Sequence, residues 1–159
     1  MPEIRIEHLD PVAPGVEAII AESDAFYHGL YPAESNHLEA IDDLQKPNVL
    51  LVGCFYDDRL VASGAAKLMR DDGDYAEIKR VFVLEAYRGR GLSRRLMDFL
   101  EGELRLRGVE LLRLETGVRQ PEALALYRKL GYIERGPFGA YRPDPLSVFM
   151  EKRVIDRHE

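Results

Sequence analysis

The chain has 159 residues, 46% of them apolar and 31% charged, which suits one domain with a sizeable core. A net charge of −6 and a pI near 5.3 argue against a nucleic-acid polyanion as the main partner. A single cysteine, Cys54, excludes an internal disulfide and a cysteine-rich metal site, and no apolar run reaches membrane-spanning length. The first residues carry Glu3 and Glu7 and lack the apolar block of a signal peptide. These readings predict one domain over residues 1–159, soluble and cytoplasmic, without a metal and without a membrane partner.

Taken in order, Ile4 to Leu9 alternates apolar and polar residues as a half-buried strand does. Asp10 and Pro11 mark a turn, and Val16, Ile19, Ile20 and Phe26 give a helix face between Val12 and about Tyr27. A polar, aromatic connection from Leu30 leads to a second helix expected from about Ser35 to Gln45, with Leu38, Ile41 and Leu44 inward and Pro47 as its stop. Val49 to Tyr56 is continuously apolar, which predicts a strand covered on both faces. Cys54 lies inside it, as a buried and inert thiol. Asp57 to Arg59 supplies a hairpin turn, and Leu60 to Met69 the partner strand. The acidic turn Asp71 to Asp74 lacks the twelve-residue spacing of a calcium loop and reads as a solvated hairpin.

The next strand, Tyr75 to Val83, has a fault in its pattern. Strict alternation puts Glu77 and Lys79 with Val81 and Val83 on one face, and Ile78, Arg80 and Phe82 on the other. Neither face is apolar throughout, and a bulge near Arg80 would shift the phase. A glycine turn, Arg88-Gly89-Arg90-Gly91, follows, and then an amphipathic helix from Leu92 to about Arg107. Leu92, Leu96, Phe99, Leu100 and Leu104 form its inner face; Arg94, Arg95, Glu101 and Glu103 lie mainly elsewhere, and most of them are read as a solvated face. Glycines before a helix N-terminus, with Arg88, Arg90 and Arg94 nearby, suit a diphosphate. Val109 to Glu115 is another strand, Pro121 opens a short helix from Glu122 to Leu130, and strands at Tyr132 to Glu134 and Ser147 to Val154 complete a mixed sheet.

Two motifs carry a resemblance. Arg88, Gly91 and Ser93, between a strand and a helix, resemble the acetyl-CoA pyrophosphate motif of the GNAT acetyltransferase superfamily, with Ser93 where Gly or Ala is usual. Ala123, Tyr127, Gly131 and Tyr132 resemble the GNAT segment whose tyrosine hydroxyl meets the CoA sulfur. Gln120 stands where many members have Asn. The motifs span about residues 75 to 132, and the runs Tyr31 to His37, Leu114 to Gly117 and Pro145 to Met150 resemble a bacterial GNAT subgroup.

The resemblance implies an α/β (α+β) GNAT fold: a central mixed, mostly antiparallel sheet flanked by helices and splayed at the cofactor strand. It implies acetyl-CoA as cosubstrate, held by Val81, Phe82, Val83, Arg88, Gly89, Arg90, Gly91, Leu92, Ser93, Arg94, Gln120, Ala123 and Tyr127. Tyr127 is implied as general acid, and Glu77 matches in spacing the base of the histone-acetylating branch. A Glu paired with Lys79 at an exposed strand edge is the alternative for Glu77; His28, His37 or water are alternatives for the base. The acceptor, a small-molecule or peptide amine, is expected near Tyr27, Tyr31, Glu34 and Asn36, with Tyr141 facing it. A GNAT-like module that holds CoA without turnover is the second class, and assembly into a homodimer is left open.

Overall fold

The computed structural model describes residues 1–36 and 41–154. Strands β1 (Ile4–His8), β2 (Val49–Tyr56), β3 (Arg59–Met69), β4 (Tyr75–Val83), β5 (Leu111–Gly117), β6 (Ile133–Arg135) and β7 (Ser147–Arg153) form one sheet in the order β1-β2-β3-β4-β5-β7-β6. Helices α1 (Val16–Leu30), α2 (Ile41–Leu44), α3 (Leu92–Leu106) and α4 (Pro121–Lys129) flank it. Every neighbouring pair is antiparallel except β4–β5, which the α3 crossover makes parallel. This is the mixed, mostly antiparallel sheet expected from the sequence.

Two of the expected helices differ in extent. The first begins at Val16 rather than Val12, because Gly15, in the left-handed region at φ 88°, sits at its start. It runs on to Leu30 and leaves Phe26 at its outer edge. Where a helix from Ser35 to Gln45 was expected, a 3₁₀ turn at Ala33–Ser35 precedes the short α2. His37 and Leu38 lie outside the described residues.

Successive residues of β2 face opposite ways, and each face has its own packing. Leu50, Val52 and Cys54 join the cluster that takes in Leu92, Leu96, Met97, Leu100 and Leu104 of α3. Leu51 packs with Val16, Ile20 and Leu44. Cys54 is fully buried, and burial pushes its thiol up, as suits an inert group. Among the charged residues of α3, Glu101 is the exception to the solvated face. It is buried, accepting hydrogen bonds from the Tyr132 hydroxyl at 2.8 Å and from Lys152 at 2.7 Å. A phenol and an ammonium brought by later segments compensate its desolvation.

The feature that positions the site is a failure of pairing. β4 pairs with β5 only from Ala76↔Leu112 to Ile78↔Leu114. Past that point β4 pairs with β3 alone and β5 with β7 alone, so the strands part. The bulge expected near Arg80 is where they part. Between the pairs Ala65↔Lys79 and Ser63↔Phe82, β4 carries one residue more than β3, and Arg80 takes φ 61°. A left-handed residue costs about 1–2 kcal/mol. The Arg80 side chain is 2% exposed and meets Asp24 of α1 at 2.6 Å, with Ser23 at 3.4 Å. Breaking a pair with one partner buried and the other part-exposed costs about 1–3 kcal/mol, enough to offset that strain. Helix α1 therefore holds the bulge in place.

Candidate active site

Between the parted strands lies a cleft of ≈ 770 Å³. Its walls are the free half of β4, the end of β5, the start of α4, the last turns of α1 and the glycine turn. Leu84 donates its N–H to Val61, so the backbone edge of Leu84 faces β3. By alternation Val81 and Val83 turn their N–H and C=O groups into the cleft. Two side chains confirm that direction. Tyr27 donates its hydroxyl to the Val81 carbonyl at 3.2 Å, and Arg88 donates Nε to the Val83 carbonyl at 3.0 Å.

At one end of the cleft, Gly89 and Gly91 adopt φ 79° and 74°, a region that favours glycine. Nothing lies within 4 Å of where a Cβ would stand on either, so the turn leaves a cradle beside the start of α3. No side chain caps that start, and its first N–H groups are available to an anion. Arg88 and Arg94 line the cleft here, as do Leu92 and Ser93. Arg88 is stacked over Phe26 at 4.8 Å and Phe82 at 5.3 Å, which fixes its guanidinium. Arg90 differs from expectation: it is no part of the lining and instead donates to the Tyr56 hydroxyl at 2.8 Å.

Tyr127 sits midway, on α4, 7% exposed and edge-on to Tyr132 at 5.8 Å. Burial first, then the nearby Tyr27 and Glu115, push its hydroxyl well above the usual phenol value, so it keeps its proton at neutral pH. Ala123 and Gln120 line the same stretch. Gln120 accepts a hydrogen bond from the Tyr31 hydroxyl at 3.1 Å, so its amide oxygen is already engaged. Tyr31 also receives the Arg119 N–H at 3.0 Å. A Cβ on Gly117 would fall 1.8 Å from the Tyr31 oxygen, so glycine there admits the ring against β5.

The far end is polar. Glu77 is 5% exposed, not at an open edge, and pairs with Lys79 at 3.3 Å. Tyr141 accepts from Lys79 at 3.0 Å and donates to Glu77. Tyr31, Asn36 and Tyr141 line this end with Tyr27 nearer the middle. Glu34 does not. It is exposed and faces a neighbouring groove that shares Glu77, Lys79 and Tyr141 as a common wall. His28 is exposed on α1 outside the lining. Glu115, absent from the sequence expectation as a site residue, lines the cleft at the end of β5. Among the described residues no group of three or more His, Cys, Asp or Glu is arranged for a metal, and no helix is long and apolar enough to cross a membrane.

The model of the acetyltransferase (GNAT) family matches residues 16–132, from the start of α1 to just past α4. The chain belongs to the acetyltransferase (GNAT) family. It is 44% identical over 152 residues to the IAA acetyltransferase of Azospirillum brasilense, covering 96% of this chain and 99% of that one. A Klebsiella pneumoniae protein assigned as an acyl-CoA N-acyltransferase superposes with a TM-score of 0.79 at 33% identity, over 96% and 98% of the two chains. The PaiA N-acetyltransferase of Thermoplasma acidophilum, solved in complex with coenzyme A, has the same fold, with a TM-score of 0.74 at 20% identity over 95% and 99%. This GNAT chain is thus an acyl-CoA N-acyltransferase.

Proposed function

We propose that this GNAT protein transfers the acetyl group of acetyl-CoA to a primary amine by direct attack, with both substrates in the cleft at once. The parting of β4 and β5 carries the reading, because it opens one continuous channel from the glycine cradle past Tyr127 to the polar end. The cradle fits a diphosphate: backbone donors, no Cβ in the way, and Arg88 and Arg94 beside it. The cleft-facing N–H groups of Val81 and Val83 suit the amide arm of the cosubstrate and the carbonyl that gains charge during attack. Tyr127, held protonated by its burial, supplies the proton for the departing sulfur. The amine enters at the end lined by Tyr31, Asn36 and Tyr141, and a carboxylate there, Glu77 in the reading from spacing, answers for its proton.

The runner-up is a CoA-holding module without turnover, and the buried, protonated Tyr127 at the centre of the channel favours the enzyme. One experiment separates them. CoA release is followed across a pool of primary amines (amino acids, polyamines, aminoglycosides and peptide N-termini), with acetyl-CoA binding measured by calorimetry on the same preparation. Stoichiometric binding with release that depends on one class of amine supports the transferase. Stoichiometric binding with no release over the whole pool rejects it.

A further inference from the structure

The last turn of α1 spans the gap where β4 and β5 part. Tyr27 and Tyr31 lie one helical turn apart, and the Tyr31 N–H donates to the Tyr27 carbonyl at 3.0 Å, so the same turn fixes both. Their hydroxyls go to opposite banks. Tyr27 donates to the Val81 carbonyl of β4 at 3.2 Å. Tyr31 donates to Gln120, just ahead of α4, at 3.1 Å and receives the Arg119 N–H at 3.0 Å. Its ring also presses on Gly117, the last residue of β5, which has no Cβ to resist it. Val81 and Gly117 both lie one step past the end of the shared pairing, equally far along each strand from Ile78↔Leu114. The two tyrosines therefore tie the strands to one helix at the level where their backbones no longer meet.

The ties are held from behind. Tyr31 is buried, and the Arg119 guanidinium lies over its ring at 5.7 Å. Tyr27 is edge-on to Phe26 at 5.1 Å and to Phe82 at 6.3 Å. Both rings line the cleft. Tyr27 is also close enough to Tyr127 to raise the proton affinity of that hydroxyl. It therefore stands at the level of the departing sulfur, and the group carried on that sulfur lies against the two rings. A wall tied at both ends does not recede for a longer chain. One methylene without room in such a pocket costs about 10–200-fold in kcat/KM.

We propose that Tyr27 and Tyr31 are specificity-determining residues that set the width of the gap and restrict the transferred acyl group to acetyl. The inference rests on the transferase reading above, which requires a channel and leaves its gauge open. Propionyl and butyryl groups extend past the acetyl methyl into the space that the tied rings close. Widening the gap for them means breaking the bond to Val81 or the bond to Gln120.

The test compares acetyl-, propionyl- and butyryl-CoA with a single amine, the member of the pool above that gives most release with acetyl-CoA. A ratio between acyl groups cancels any change in how that amine binds. The parent should lose at least about tenfold in kcat/KM from acetyl to butyryl. Tyr31→Ala, which removes a ring and a tie, should shrink that ratio at least about tenfold. The double variant Tyr27→Phe with Tyr31→Phe keeps both rings and their packing, so it guards against a failure of the first to fold. It should shrink the ratio at least about fivefold through the lost hydroxyl bonds. Calorimetry supplies a readout without turnover: the parent should bind CoA and acetyl-CoA alike and butyryl-CoA at least about tenfold more weakly, with that difference narrowed in both variants. A parent that takes butyryl as readily as acetyl, or either variant folded and keeping the parental ratio, overturns the gauge while the transferase stands. If the parent binds acetyl-CoA and releases no CoA from any of the three with any amine, the transferase reading falls and this inference with it.

Discussion

The two halves of β4 make an instructive contrast. From Tyr75 to Ile78 the strand is paired on one side along its length and on both sides from Ala76, and its residues are buried. From Lys79 to Val83 it keeps β3 and loses β5. The first half spends its backbone hydrogen bonds on the sheet. The second has an edge to offer a ligand, and the bulge at Arg80 separates the two. A central strand with a vacant edge is normally a liability, and here helices α1 and α4 flank the gap so that a small molecule, not another strand, fits it.

The contrast predicts that damage to the two halves shows in different measurements. Leu112 is fully buried opposite Ala76, outside the cleft, and Leu112→Ala should cost about 2–5 kcal/mol of stability. Denaturant unfolding reads that loss, while kcat/KM per folded molecule stays near the parent value. Tyr127→Phe should do the opposite. It keeps the ring, so the melting temperature barely moves and acetyl-CoA affinity holds, yet the rate falls about 10²–10⁴. A parental rate in single-turnover experiments with chemistry limiting would return Tyr127 to a packing role.

The boundary between the halves is tested by Asp24→Asn. The Arg80 guanidinium stays buried and loses its counter-charge, and because Asp24 is itself 37% exposed the cost should be about 1–3 kcal/mol. KM for acetyl-CoA should rise as well, since the bulge presents Val81. Stability lost with KM unchanged would mean the bulge holds itself.

Glu115 offers a pH signature. Its proton affinity in the folded chain is raised to about 7, so the folded state binds the proton more tightly than the unfolded. Its contribution is full below the unfolded value of 4.5 and is lost as pH rises through about 7. Glu115→Gln should leave stability unchanged below about pH 4 and raise it above pH 7 by about 3 kcal/mol, read by chemical denaturation at both ends. The cradle is tested by binding. Gly91→Glu puts a side chain and a negative charge beside the start of α3 and should weaken acetyl-CoA binding at least about tenfold, or 1.4 kcal/mol. Unchanged calorimetric affinity in a folded variant would place the diphosphate elsewhere.

How much of this could be read from residues alone follows the range of the interactions. The bulge was legible because Tyr75 to Val83 breaks its own alternation, a local signal. The glycine cradle and α4 were legible through motifs confined to a few residues each. The width of the gap entered by resemblance, since pairing that stops at Ile78↔Leu114 leaves no mark on either strand. Glu101 did not stand out because a carboxylate on an amphipathic helix looks solvated until Tyr132 and Lys152 arrive 31 and 51 residues later. Glu115 looked like the polar end of a strand; its burial depends on Ser147, 32 residues on, and on walls from three other elements. Arg90 and Glu34 have site-like neighbours in sequence but turn to Tyr56 and to the adjacent groove. Only side-chain direction decides such positions.

The placement of β7 between β5 and β6 has a consequence for how the enzyme comes into being. β6 is made before β7, yet its partner in the sheet is β7, so it has no strand to join until residues 147 to 153 have been synthesised. The same late segment delivers Ser147 to Glu115 and, just ahead of it, Asp144 to Ser35. A nascent chain released as far as α4 would already own the glycine cradle and Tyr127, but not the wall that tunes Glu115. Pairings of long sequence separation such as Leu111↔Arg153 form slowly. The glycine cradle and Tyr127 are therefore complete in the chain before the wall around Glu115, and β7 is the strand that closes that end of the cleft.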